Sequence, residues 1–446
     1  MDQLQVGFSR VDITPMLGIR IRGYYIERRA DGILDNLQAN AIAFGLGEEK
    51  VLLMSLDLCS MPVTLANKLR EAICEKTGLQ MDAVHLQCNH THTGPMVSQV
   101  ETEPLEVQYF DFLMARLADA AQLALNDLQP AKMGWGVGHA PNIAFIRRYK
   151  MKDGSVRTNP GVNNPDIVEP AGKVDDEVAV VRFDRPNDTV VLVNFADHPD
   201  CVGGCKISAD WPGFVRKQLE KTIDNTKCIF FNGAQGDVNH VNVKPQGGDL
   251  NDMFMDFDDV SRGYGHARHM GNVVVGGVLQ VYDKVKYVSV ESLRYGSRHI
   301  EIPSNMPKPE EMEEAYYIHK MHQEGRDAEL PYKGMMLTTK VAEAARKVRL
   351  EHGPESFPLD IVGVAIGKIA FVGVPGEPFN GVGVGIKAAP DWELVMPGCI
   401  TNGSHGYFPM RDSYDEGGYE AGGSIYKAGV AELLIEESQK LLVSMK

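Results

Sequence analysis

The sequence predicts an α/β (α+β) fold of mixed β-sheets flanked by helices. Three observations predict it. Apolar runs of strand length recur along the chain, and amphipathic helical patterns fall between them without strict alternation. Two pairs of strand-like runs are joined by tight turns, which makes them antiparallel hairpins. A purely parallel, doubly wound sheet has no such hairpins, so the sheets are mixed.

The elements follow in order. Residues 50–58 (KVLLMSLDL) read as a strand, and 65–78 as an amphipathic helix closed by Gly78. Residues 83–88 (AVHLQC) are a short strand, and 107–128 a long helix ending before Pro130. The runs VAVVRF and TVVLVNFA, joined by DRPND, form the first hairpin. A helix over 214–223 leads to the short strand CIFFNG (228–233). Helical patterns occupy 309–321 and 338–353. IVGVAIG and KIAFVGVP form the second hairpin, 392–400 a late strand and 428–442 a final helix. Two stretches, 141–174 and 232–268, read as long functional loops. No repeat period and no linker is evident, so residues 1–446 read as one domain.

Composition narrows the function. A formal net charge of -15 argues against nucleic-acid or anionic-membrane binding. No apolar run approaches the roughly 20 residues of a membrane span, and the first residues lack the pattern of a signal peptide. The expectation is a cytoplasmic protein acting on a small molecule, without membrane insertion. The seven cysteines are scattered. The one close pair, Cys201 and Cys205, has no second pair beside it, so the cysteines read as reduced thiols.

The most informative pattern follows the strands. AVHLQC runs into Asn89-His90-Thr91-His92, and TVVLVNFA into Asp197-His198-Pro199-Asp200. KIAFVGVP runs into Gly376-Glu377, and WELVMPGCI into a stretch that includes His405 and Tyr407. Strand ends of a sheet lie side by side, so ligands distant in sequence converge there, and nitrogen and oxygen ligands suit zinc. A lone histidine after a strand is commonly a loop or cap residue. His90 and His92 are a stronger signal, because residues two apart in extended chain point the same way.

These segments resemble the neutral ceramidase family. Asn89 to Pro95 (NHTHTGP) resembles its His-x-His segment, Asn194 to Pro199 its second histidine segment, and Val374 to Phe379 its VPGE segment. Asn402 to Tyr407, with Tyr419-Glu420-Ala421-Gly422-Gly423-Ser424, resembles its tyrosine segments. The likeness implies a neutral-ceramidase-like catalytic domain. It puts zinc on His90, His198, Glu377 and Tyr407, and a second active-site histidine on His92. It places an arginine on Arg147, with Arg148 the neighbouring option, and a carbonyl-contacting tyrosine on Tyr419.

Three features depart from that family. Asn239, in Gly236-Asp237-Val238-Asn239, stands where the family has its nucleophilic serine, and an amide is no nucleophile. No C-terminal immunoglobulin-like domain and no secretion signal is expected. The resulting expectation is a zinc-dependent, amidase-like hydrolase that uses metal-activated water on a small soluble substrate rather than ceramide. Asp237 would serve as a base or as a partner of a ligand histidine, and Asn239 as a hydrogen-bond donor to substrate. Alternatives are a zinc glycoside or ester hydrolase, or a non-catalytic binder; the retained ligand set argues against the last. A paired-carboxylate glycosidase would need Asp237 opposite Asp210 or Glu377. Of Asp197, Asp200 and Asp210, at least two read as solvated surface groups. The acidic stretch 249–259, near His266 and His269, reads as a lid or solvated loop rather than a calcium site.

Overall fold

The structure, a computed structural model, describes residues 3–249 and 263–446. All but the first residue of the acidic stretch 249–259 lies outside the described residues.

Three sheets form the frame. The first holds β1 (Gln5–Asp12), β2 (Gln38–Leu46), β3 (Glu49–Leu56), β4 (Val84–Cys88) and β5 (Gln129–Pro130), in the spatial order β4-β3-β2-β1-β5. The second holds β6 (Lys132–His139), β7 (Glu177–Asp184), β8 (Thr189–Phe195), β9 (Thr226–Asn232) and β10 (Lys286–Val288), ordered β9-β8-β7-β6-β10. The third runs β11 (Leu293–Pro303), β12 (Ser356–Ile366), β13 (Ile369–Gly373), β14 (Leu394–Gly398) in sequence order. Each sheet is antiparallel except at one edge, where a single pair is parallel: β3 with β4, β8 with β9, and β13 with β14. The mixed sheets expected from the hairpins are present, and both hairpins pair where the turns place them.

A parallel pair needs a crossover, and a helix supplies each one. α1 (Val63–Thr77) joins β3 to β4 and is ended by left-handed Gly78, whose N–H reaches the Cys74 carbonyl. After α2 (Pro104–Asn126), α3 (Asp210–Thr222) joins β8 to β9. α4 (Tyr264–Val281), α5 (Met312–Gln323) and α6 (Met335–Leu350) follow, and α7 (Asn380–Lys387) joins β13 to β14 ahead of the last helix, α8 (Val430–Ser444). The same hairpin–helix–strand unit thus occurs three times, although the sequence shows no period.

Strand alternation explains the packing. In β2, Ala39, Ala41 and Ala43 face α1 and α2, while Ile42 and Phe44 face the opposite way. In β8, Val191, Val193 and Phe195 face α3 and α4, and Val190 and Leu192 face away from them. In β13, Ala370 and Val372 face α7 and α8, and Ile369 and Phe371 do not. The residues turned from the helices form one core shared by all three sheets. Burial on both faces is why these strands read as unbroken apolar runs.

The expectation of long loops is corrected in part. Residues 141–174 contain a three-stranded sheet, Val156–Thr158, Arg148–Met151 and Ile167–Pro170, as well as Phe145–Ile146 paired with Val238–Asn239. Short strands bounded by Gly, Pro and Asn carry too little hydrophobic periodicity to be read from sequence. No helix among the described residues is long and apolar enough to cross a membrane.

Candidate metal centre

The C-terminal ends of the three parallel pairs meet at one place. Backbone and side-chain bonds fasten them together. The Gln87 amide at the end of β4 donates to the Asn232 carbonyl at the end of β9 (2.7 Å), and the Cys399 N–H beyond β14 donates to the same oxygen (3.1 Å). The Asn402 N–H reaches the Leu86 carbonyl at 2.7 Å. Asn232 itself is fully buried, and its Nδ2 donates to the carbonyls of Asn89 (3.0 Å) and Asp197 (2.9 Å). Those carbonyls immediately precede His90 and His198, so one amide clasps both histidine-bearing turns. His90 holds φ 78°, a left-handed conformation uncommon for a side chain of its size and retained here by surrounding contacts.

His90, His198 and Glu377 come together in the buried interior. The Nε2 atoms of both histidines lie 3.2 Å from Oε2 of Glu377. The Nδ1 of His90 is 3.0 Å from the Cys59 carbonyl. The Nδ1 of His198 is 2.8 Å from the Gln235 carbonyl and 2.9 Å from that of Val238. A carbonyl can only accept, so both Nδ1 atoms carry protons, and in the neutral rings both Nε2 atoms present lone pairs. Glu377 Oε2 is likewise an acceptor and has no hydrogen-bond partner. Three buried lone-pair donors therefore face one another, an arrangement that a cation at their centre stabilises. The electrostatics show the same demand for positive charge beside the Glu377 carboxylate, met by a proton on His90 or by a cation. Burial works against protonation of His90, but Glu377 and Cys59 outweigh it and raise the imidazole well above its ordinary range. Burial also opposes the Glu377 charge, yet His90 and His198 hold it well below the usual carboxylate range. Two imidazoles and a carboxylate, with tautomers fixed by the backbone, fit zinc.

Tyr407 stands beside Glu377, because Tyr407–Phe408 pairs in parallel with Glu377–Pro378. Burial and then Glu377 push its phenol well above the ordinary range, with Arg147 acting the other way. Arg147 donates from Nη2 to the Tyr407 hydroxyl (3.1 Å) and to the Gly236 carbonyl (2.8 Å), and its Nη1 lies 3.4 Å from His198 Nε2. Its Nε donates to Glu420 at 2.6 Å, and the Thr158 hydroxyl donates to the other Glu420 oxygen at 2.8 Å. Arg148, next in the chain, points the opposite way to Ser413 and Glu416. Arg147 is thus the arginine at the site.

His92 Nε2 lies 3.2 Å from His90 Nε2. Burial, and then His90, lower its pKa well below the ordinary range, so it is neutral. Tyr419 packs edge-on to Tyr407, with ring centroids 5.5 Å apart. Both His92 and Tyr419 line a cavity of about 630 Å³ together with His90, Glu377 and Tyr407.

Other expected residues are placed elsewhere. Asn239 does not line that cavity. Its Nδ2 donates to Asn159 (3.1 Å) and its Oδ1 accepts the Val241 N–H (3.1 Å), so both ends of the amide are engaged with the protein away from the cavity. Asp237 does not hold a ligand histidine; its Oδ1 accepts the Asn380 N–H at 2.7 Å, and backbone carbonyls hold His198. Asp197 and Asp210 are buried rather than solvated. Asp210 accepts the N–H groups of Val202 and Trp211, and Asp197 that of His198. Asp200 sits 2.9 Å from His240. Among the described residues Glu377 is the only carboxylate lining the cavity, so it has no facing acid there. The seven cysteines are free thiols.

Sequence reasoning missed Cys59, Asn232 and Glu420. The first two stand at strand ends, where the same search for converging groups finds them. Glu420 adjoins Tyr419 in the quoted Tyr-Glu-Ala stretch.

No protein-family model matches the chain, and no curated protein does. Solved structures do. The neutral ceramidase of Pseudomonas aeruginosa superposes with a TM-score of 0.74 at 18% identity, over 100% of this chain and 74% of that one. A ceramidase complexed with C2 superposes with a TM-score of 0.72 at 17% identity, over 100% and 75%. The chain therefore has the neutral-ceramidase fold.

Proposed function

We propose that the chain is a zinc-dependent hydrolase acting on an amide or related bond of a small soluble substrate rather than on ceramide. The observation that carries this reading is the buried trio of His90, His198 and Glu377, whose lone pairs converge with tautomers fixed by carbonyls. His90, His198, Glu377 and Tyr407 would hold the metal. Zinc bound there supplies Lewis-acid polarisation and lowers the pKa of a water molecule to about 7.

The chain's own residues divide the remaining work. Neutral His92, which resists protonation, offers an imidazole N–H on the cavity wall to a developing oxyanion. Tyr419 is held in its phenol form, because burial and then Tyr407 and Tyr25 push its pKa well above the ordinary range. Its hydroxyl donates to that of Tyr25 at 3.4 Å, a long contact that it can exchange for a substrate carbonyl oxygen. Arg147, fixed by Glu420, orients the Tyr407 hydroxyl. Asn239 is no nucleophile and does not line the cavity, which favours water as the attacking group.

Polar groups in a mixed wall support a soluble substrate. Arg22, Arg349, His405, Ser60 and Ser98 line the cavity beside Met61, Met96, Val97 and Ile425, and long alkyl chains leave the polar groups without hydrogen bonds.

The test is metal content of purified protein, wild type against His198→Ala, followed by hydrolysis screens of soluble amides, esters and glycosides. About one zinc per chain, lost in the variant, with turnover of a soluble amide, is the expected result. A wild type that takes up no metal when zinc is supplied overturns the reading.

A further inference from the structure

A second cavity, about 860 Å³, lies behind the wall of the first. The short helix Tyr419–Gly423 separates them. Tyr419 and Gly423 line the metal-side cavity, and Ala421 and Gly422 line the other. The two are therefore distinct spaces with one shared partition.

The second cavity has the wrong sign for this protein. The chain carries a net charge of -15, yet the cavity is lined by Arg157, Lys333, Lys340, Arg346 and Lys427 against a single carboxylate, Glu343. Glu343 is already committed to Lys340 (3.1 Å) and Lys347 (2.7 Å), and Arg157 is paired with Asp153. Lys333 and Lys427 form no ion pair among the described residues. Arg346 decides the matter. It is only 8% exposed and has no carboxylate within ion-pair distance among the described residues. Its Nε donates to the Gly422 carbonyl (2.8 Å) and its Nη1 to the Asn305 carbonyl (2.6 Å). Its Nη2 makes no hydrogen bond to the described protein, and Arg346 is among the residues that line the cavity. A buried guanidinium stays charged; two neutral carbonyls do not neutralise it, and Glu343 and Glu311, which attract it from beyond ion-pair distance, are committed to Lys340 and Lys347, so an anion in the cavity would complete its surroundings.

We propose that this cavity binds a small phosphorylated molecule, its phosphoryl oxygens taken by Arg346 Nη2 and by the ammonium groups of Lys333 and Lys427. A tetrahedral phosphate presents several oxygens to separate donors, which suits one guanidinium nitrogen and two point charges better than a planar carboxylate does. The volume leaves room for an organic body beside the phosphate. Occupancy would also reach the first cavity, because Arg346 holds Gly422 in the partition that carries Tyr419 on its other side.

The experiment uses inorganic phosphate as the probe on the zinc-loaded full chain. Thermal unfolding is followed in phosphate, in acetate and in sodium chloride at equal ionic strength. The expected result is a phosphate-dependent rise in Tm that exceeds that in acetate and is retained in His198→Ala. Lys333→Glu with Lys427→Glu should abolish the rise and leave the Tm in chloride unchanged, since neither lysine has a structural partner. Arg346→Lys, which keeps a donor for the carbonyls, should weaken phosphate at least tenfold. No rise in phosphate, an equal rise in acetate, or a rise lost in His198→Ala and kept in the lysine variant would overturn the proposal.

Discussion

Two residues show how the site is supported one side chain at a time. Gly23 has φ 119°, and a Cβ there would stand 2.8 Å from Cγ of His92 and 3.0 Å from its Cα. Gly23→Ala is expected to cost about 1–3 kcal/mol in denaturant unfolding, from backbone strain and collision together, and to displace His92 while zinc content stays at the wild-type level. Asp237 makes a different prediction. Burial pushes its carboxyl up to about 6, whereas the unfolded chain releases the proton near pH 4. Between those values the folded state binds the extra proton, so the contribution of Asp237 to stability falls as pH rises from about 4 to 6 and then levels. Asp237→Asn keeps an acceptor for the Asn380 N–H and removes the titration. The free energy of unfolding of the variant relative to wild type should rise by up to about 3 kcal/mol across that window. A difference independent of pH would show that Asp237 does not titrate there. None of this was legible in the sequence. Gly23 is one glycine among 45, and the burial of Asp237 depends on its packing against Asn380.

At the scale of elements, much more could be read. Burial on both faces makes β3, β8 and β13 continuous apolar runs, and the turn residues mark both hairpins. The residues beyond β4, β8 and β13 signalled themselves because imidazoles and a carboxylate directly after an apolar strand are chemically conspicuous. What sequence could not give was which strands are neighbours. The expectation was ligands side by side on one sheet; instead His90, His198 and Glu377 follow strands of three different sheets. The group joining them, Asn232, was passed over because an asparagine at a strand end resembles any turn residue. Its amide reaches both histidine-bearing turns, so Asn232→Ala should weaken zinc about 10- to 100-fold, as loss of an outer hydrogen-bond partner does, measured by competition with a chelating dye. Unchanged affinity would mean that the histidine turns are held without it.

At the scale of the whole molecule, three copies of one hairpin–helix–strand unit surround a common core. The crossover helices differ in length, 15 residues in α1, 13 in α3 and 8 in α7, so no fixed period survives in the sequence. Because each sheet contributes to the trio, a bound cation ties all three together. Removing it with a chelator should lower the Tm, with a loss of about 4 kcal/mol where free zinc had stood at a thousand times its Kd. His198→Ala should show no such chelator effect.

The meeting of all three sheets at one point also sets an order of assembly. His90, His198 and Glu377 come from three distant stretches, and none of the three units carries the trio alone. Loop closure over such separations is slow, and a chain with only one or two units docked has nothing that resembles the finished site. The centre is therefore a product of folding rather than its nucleus. Metal uptake during refolding would coincide with the last kinetic phase, making the ion a reporter that the final interface has closed.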